Sequence, residues 1–224
     1  MRRVVRRMPT DVSFDHALDS AIDIAVDVTG KSVQAILEEL IEAGLGSLPG
    51  GGAEIFRKEV REQIARGKES AEEYLGVHRA WHRLGGRSTC TMLYGHLENE
   101  EDRADHLVKL RALQDDTHGF QTFIPLSFHP DNTVLEHIPK TTGFNDLREI
   151  AVARLMLDNI PHIKAYWVML GIKTAQTALL CGANDIDGTV TEEKIYHMAG
   201  SNSPDALSLD DIRHLISTAG LTPQ

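Results

Sequence analysis

Three glycines in a row, Gly50, Gly51 and Gly52, followed at once by Ala53 and Glu54, form the sharpest local feature of the chain. Consecutive glycines leave backbone amides open to a ligand and permit φ > 0. A helix expected from Glu54 would start directly after them, so its N-terminus could hold an anion or the polar edge of a cofactor. A tight turn explains the same residues, because glycine punctuates loops generally. His96 and Glu98 stand two positions apart beyond an apolar run, which places both side chains on one side of an extended backbone. Such a pair suits general acid–base work or a ligand contact, and equally a hydrogen-bonded rim pair. His129, before Pro130, could touch a substrate or be simply solvated. Asn184, Asp185 and Asp187 could read a hydroxyl-rich ligand or cap the next helix. Tyr166 and Trp167 fall in a β-tending run, where one would face inward and the other pack on helices.

The elements that must position these groups read as strands and helices in alternation. Strands are expected at Leu45–Leu48, Ser88–Tyr94, Gln121–Phe128, Ile163–Met169 and Ala183–Ile186. Helices are expected near Val33–Ile41, Glu54–Ala65, Ala71–Leu84, Glu100–Gln114, Asn145–Asp158, Thr174–Cys181, Glu192–Ala199 and Leu209–Ala219. Ser70 with Glu73 and Ser208 with Asp211 carry the capping spacing that starts a helix. Repeated β-α order with apolar strands means parallel strands covered by helices. The fold class is therefore α/β, a partial (β/α) TIM-like barrel of about the last five βα units, where a closed barrel has eight. In such architectures function collects at the C-terminal ends of strands. Gly50–Glu54, Tyr94–Glu98, His129, Lys164, Tyr166, Met169 and Asp187 all stand at those ends.

Composition narrows the possibilities. The chain has 224 residues, 42% apolar and 25% charged, with a net charge of -10. An acidic chain has no basic surface for nonspecific nucleic-acid binding. No apolar run approaches a membrane span. Arg2, Arg3, Arg6 and Arg7 cluster near the start without an apolar stretch after them, so no secretory signal is expected. Cys90 and Cys181 show no CxxC spacing, which speaks against a disulfide framework or a cysteine zinc site and for buried thiols in a cytoplasmic protein. Residues 1–31 match no clear pattern, and residues 32–224 read as one domain.

Several strings resemble the menaquinone-pathway radical S-adenosylmethionine enzymes. Leu48-Pro-Gly-Gly-Gly-Ala-Glu-Ile-Phe56 resembles their loop motif. Thr91-Met-Leu-Tyr-Gly-His-Leu-Glu98 is similar to their GxIxGxxE-like segment, with threonine in place of the first glycine. Phe123–Pro130, Ile160–Trp167, Gly182–Thr189 and Glu192–Gly200 continue the likeness in order. Leu126, His129 and the Asp187-Gly-Thr ending favour the aminofutalosine synthases over the cyclic dehypoxanthinyl futalosine synthases, and the deazaflavin-pathway relatives lack the triple glycine. The resemblance implies a mechanism. A [4Fe-4S] cluster reduces S-adenosylmethionine to methionine and an adenosyl radical. The radical adds to 3-[(1-carboxyvinyl)oxy]benzoate, and rearrangement with loss of the carboxylate gives aminofutalosine. It also implies that Gly50, Gly51, Gly52 and Glu54 approach S-adenosylmethionine and that Gly95 to Glu98 contact its adenosyl part. His96, His129, Tyr166 and Asp187 are its candidates for the benzoate substrate or for proton transfer.

The chain departs from that pattern in one respect. The family binds its cluster through CxxxCxxC, and this sequence has no such triplet. A truncated or split enzyme, completed by an N-terminal cysteine-bearing fragment, is one expectation. A non-catalytic remnant, or a partner subunit completing another chain's barrel, is another. His96, His129 and Asp187 at successive strand ends also raise a metal-dependent amidohydrolase, but the early His-x-His pair of that class is missing.

Overall fold

The structure is a computed structural model, described over residue 22 and residues 24–189, 204 and 206–224. The helix expected at Glu192–Ala199 and most of the N-terminal segment lie outside the described residues. Five strands form one sheet in the order β1-β2-β3-β4-β5, and every neighbouring pair is parallel. They are β1 (Ser47–Leu48), β2 (Arg87–Tyr94), β3 (Phe120–Ser127), β4 (His162–Ala165) and β5 (Asp185–Ile186). Beside a helical stretch at residues 24–29, the helices are α1 (Val33–Glu42), α2 (Lys58–Ile64), α3 (Ala71–Arg83), α4 (Glu100–Thr117), α5 (Gly143–Met156), α6 (Trp167–Leu170), α7 (Ile172–Ala178) and α8 (Leu209–Thr218). This is the partial (β/α) barrel that the alternating pattern called for.

Burial divides the sheet into two faces. Ser88, Cys90, Met92 and Tyr94 of β2 are at most 1% exposed, as are Ile163 and Ala165 of β4. They point into the layer of helices, where the main core holds Tyr74, Leu107, Leu110, Phe123, Ile150 and Trp167. The alternate residues occupy the concave inner face. Thr91 pairs in register with Ile124, Leu93 with Leu126 and Lys164 with Asp185. In-register neighbours share a face, and all of these but Thr91 remain partly exposed. A smaller cluster of Ile36, Leu37, Leu48, Val77 and Trp81 seats α1 and α3 on β1.

Local chemistry explains where elements begin. Ser70 and Glu73 make the expected capping box of α3, and Ser208 and Asp211 that of α8. Asn99 and Asp102 form a third at α4, each side chain satisfying an amide the first turn leaves open.

Two expectations fail in instructive ways. The strand read as Ile163–Met169 ends at Ala165, and Trp167–Leu170 is a helical turn. Its partner β5 is two residues long, so no ladder exists to carry an extended chain further. The amides of Met169 and Leu170 instead bond to the Tyr166 carbonyl. Tyr166 and Trp167 therefore sit at a strand–helix junction rather than alternating along a strand. The helix expected from Glu54 begins only at Lys58, because Glu54 has φ 44° and turns the chain back along β2.

Candidate functional site

The loop after β1 is held from behind. Arg61, 5% exposed, donates from Nη2 to the Gly52 carbonyl at 2.8 Å, from Nη1 to the Ala53 carbonyl at 2.6 Å and from Nε to the Glu69 carbonyl at 2.7 Å. The Gly50 carbonyl accepts from Tyr74 Oη at 3.0 Å and from Thr91 Oγ1 at 2.6 Å. A Cβ on Gly50 would stand 2.6 Å from the Cys90 Cα, so this glycine lets the loop lie against β2. Gly51 and Gly52 are buried beside it, and Gly52 has φ 94°. Glu54 pairs with Lys68 at 2.7 Å, and its carbonyl accepts from the Leu93 amide at 2.8 Å.

Beyond β2 the chain wraps around a carboxylate. Glu98 accepts from the Gly95 amide at 2.6 Å, the His96 amide at 2.9 Å and Arg103 Nη1 at 2.8 Å. Its side chain and that of His96 are both 0% exposed and 3.0 Å apart. His96 Nε2 faces the Leu93 carbonyl at 3.0 Å and so carries a proton. Nδ1 lies 2.7 Å from the Leu97 amide, accepting from it in the neutral ring and donating to Glu98 in the cation. Burial pushes the Glu98 carboxyl upward, but the His96 ring and the two amides outweigh it and hold the group at about 2. Gly95 turns with φ 89°, and a Cβ there would meet Thr141 Cγ2 at 2.2 Å.

The next strand tips are laced to this one. The Phe128 amide donates to the Tyr94 carbonyl at 2.8 Å, and Tyr94 Oη donates to Asp146 of α5 at 2.9 Å. Ser127 and Thr141 hydroxyls meet at 2.5 Å. Burial raises the Asp146 carboxyl above its usual range, against the pull of the surrounding hydroxyls. His129 Nε2 donates to the Met169 carbonyl at 3.0 Å, tying β3 to α6. Lys164 reaches Asp187 at 3.0 Å and Asp185 at 3.6 Å. Burial acts to lower Lys164, yet the two carboxylates raise it.

Most sequence-predicted residues thus stand at or near the C-terminal rim, tied across neighbouring elements: Glu54 to Leu93, Tyr94 to Phe128, His129 to Met169, Lys164 to Asp187. His96, His129 and Asp187 do not converge. Among the described residues no three His, Cys, Asp or Glu side chains form a metal-binding group. Asn184 precedes β5 and ties it to its neighbour. Its Oδ1 accepts from the Ile163 amide and Arg154, and its Nδ2 donates to the Pro161 carbonyl, which fastens β5 to β4.

Comparison with known proteins shows what the chain is similar to. Residues 117–224 match the CofH/MqnC C-terminal region. The chain is 52% identical over 192 residues to the aminodeoxyfutalosine synthase of Thermus thermophilus, across 84% of this chain and 52% of that protein. It is 45% identical over 207 residues to the aminodeoxyfutalosine synthase of Streptomyces coelicolor, across 88% and 54%. It is also 42% identical over 201 residues to the 5-amino-6-(D-ribitylamino)uracil–L-tyrosine 4-hydroxyphenyl transferase of Methanopyrus kandleri, across 88% and 54%. The chain spans about half the length of these relatives. The fold is shared with methylornithine synthase (PylB), at a TM-score of 0.64 and 18% identity over 93% of this chain and 63% of that one.

The thiols of this chain do not fit an iron–sulfur cluster. Cys90 and Cys181 are the two cysteines of the sequence. Cys90 is fully buried on the helix-facing side of β2, where burial pushes its thiol well above the usual value, and Cys181 follows α7. A cluster needs several accessible thiolates converging on one point.

Sequence reasoning missed the residues that hold the rim in place. Arg61 and Arg103 were not singled out from the sequence, yet Arg61 anchors the glycine loop and Arg103 joins Glu98 to Glu149. A signal existed for neither, since a single arginine on a charged helix is ordinary. Asp146, five residues after Thr141, was hidden for the same reason.

Proposed function

We propose that this rim is the substrate-side half of an aminodeoxyfutalosine synthase site, which joins the adenosyl group of S-adenosylmethionine to 3-[(1-carboxyvinyl)oxy]benzoate in the futalosine route to menaquinone. The 52% identity over 192 residues carries this reading. The radical chemistry would be supplied by a [4Fe-4S] cluster held by cysteines outside this sequence, on a segment that completes the barrel. Two thiols with no disulfide partner suit a cytoplasmic setting.

Within the reading, the Gly50–Glu54 loop and the Gly95–Glu98 loop line the adenosyl side, because both are braced next to Leu93. His129, Tyr166 and Asp187 line the benzoate side, at the tips of β3, β4 and β5. His96 acts through the loop it holds, since its ring is closed off from solvent. The protein's work is to orient the two reactants and exclude water.

The test is to co-express the chain with a polypeptide bearing the CxxxCxxC motif and the missing βα units, reconstitute iron and sulfide anaerobically, and follow product by mass spectrometry. Formation of aminodeoxyfutalosine from the two substrates is the expected result. A complex that shows a reduced cluster and cleaves S-adenosylmethionine but leaves the benzoate untouched would overturn the substrate assignment. Failure of the two polypeptides to associate would favour the second reading, a non-catalytic chain, which the poor fit of Cys90 and Cys181 to a cluster supports.

A further inference from the structure

The end of the sheet opposite the rim carries a run of buried polar groups that the proposed reaction does not use. His78 and His82 of α3, Ser88 at the start of β2 and Thr117 at the end of α4 meet there. His78 is 0% exposed and His82 7%. Their hydrogen-bond directions follow from one fixed end. Thr117 Oγ1 lies 2.8 Å from the Leu113 carbonyl, which can only accept, so the Thr117 proton is committed there. His82 Nδ1, 2.7 Å from Thr117 Oγ1, must then donate. In a neutral ring Nε2 is left as an acceptor, and Ser88 Oγ, 2.7 Å away, donates to it. Ser88 Oγ has spent its proton, so His78 Nδ1 at 2.9 Å donates in turn. Among the described residues His78 Nε2 remains a buried lone pair with no partner.

We propose that this chain of donors, from His78 through Ser88, His82 and Thr117 to the Leu113 carbonyl, is a pH-sensitive latch that fastens α3 to β2 and α4 only while both histidines are neutral Nδ1–H tautomers. A second proton on His82 would sit at Nε2 and face the Ser88 oxygen, reversing the direction of the Ser88 hydroxyl and setting it against the His78 donor. A second proton on His78 would sit on a nitrogen that has no acceptor. The surroundings offer no compensation. Facing the pair are the rings of Tyr74 and Phe120 and the cation Arg87, whose Nη1 donates to the His118 carbonyl. The nearby carboxylate, Asp116 of α4, is engaged by Arg79 at 3.3 Å and Arg83 at 3.6 Å. The His82 ring fills the space that a side chain at position 119 would need, so Gly119 lets it lie against the backbone before β3. Burial accordingly lowers His78 to about 3 and His82 to about 4.

The sign follows directly. A base whose folded value lies below its unfolded value contributes stability above the unfolded value, near 6.5, and loses it as pH falls toward the folded value. Each latch histidine should therefore raise the unfolding constant by up to about tenfold per pH unit below 6.5. His106, buried and lowered to about 3, adds its own share and serves as the internal comparison.

Two measurements test the latch. Long-range ¹⁵N–¹H correlation spectra of the intact chain at pH 7 should show His78 and His82 as neutral Nδ1–H tautomers that persist unprotonated at pH 5.5. An Nε2–H tautomer at either ring, or titration of either near 6.5, would overturn the proposal without any substitution. Urea unfolding between pH 7 and pH 5 should lose up to about tenfold per pH unit of its pH dependence in His82→Gln. His106→Gln should remove a similar share while leaving the His82 signals unchanged. A His82→Gln slope equal to that of the unsubstituted chain would also overturn it.

Discussion

Gly50 shows how far a motif reading and a structure can differ over the same atoms. Its missing side chain makes room for the protein's own β2 backbone, 2.6 Å from where a Cβ would lie. Gly50→Ala should therefore destabilise the fold by about 1–3 kcal/mol, seen as a lower urea midpoint with no ligand present. A variant as stable as the parent would return the glycine to a purely ligand-facing role. Glu98 is the second case. It is fully buried, sits at about 2, and is partnered by Arg103 and two amides. A carboxylate held below its ordinary value stabilises the fold above about 4.5 and loses that contribution as pH falls toward 2. Glu98→Gln should cost about 1.5–3 kcal/mol, because two amides and Arg103 lose a charged acceptor while Arg103 keeps Glu149. Both residues were legible as important from spacing alone. That their importance is internal bracing was not, because Arg61 and Arg103, though only five to nine positions away, sit on charged helices where an arginine carries no distinctive signature.

At the scale of elements, the sequence carried the order and the caps well. The boxes at Ser70 and Ser208 were legible because capping is a local bargain between residues three apart. The box at Asn99 obeys the same rule and was overlooked, since the charged run that follows it has weak apolar periodicity. The end of β4 could not be read, because it depends on the length of β5, which lies some twenty residues onward. Asn184 is the device that fixes β5 in place, through the Ile163 amide, the Pro161 carbonyl and Arg154. Asn184→Ala should lower stability by about 1 kcal/mol in urea or thermal unfolding, with Asp185 and Asp187 losing their fixed approach to Lys164. An unchanged midpoint would mean that the β4–β5 pairing alone suffices.

For the molecule as a whole, the sheet's outer strands matter most. Among the described residues β1 pairs only with β2 and β5 only with β4, so both edges and the inner face with Leu93, Ile124 and Leu126 lack cover. Open parallel edges template pairing. Sedimentation of the isolated chain should reveal self-association that a barrel-completing partner suppresses, and a sharply unfolding monomer would contradict this. Anaerobic reconstitution of the chain by itself should give no stoichiometric [4Fe-4S] spectrum. A reduced-cluster resonance that survives replacement of both Cys90 and Cys181 by alanine would contradict the cysteine argument.

The spatial order of the strands follows the order of the chain from β1 to β5. Each strand emerging from a ribosome would therefore find its neighbour already made. The joins it must close are modest, as between Thr122 and His162, about forty positions apart, and closure entropy rises only slowly with such lengths. Growth of the sheet by successive additions needs no rearrangement of what is already built. The same property would let an insertion between two units displace later strands without disturbing the register of earlier ones.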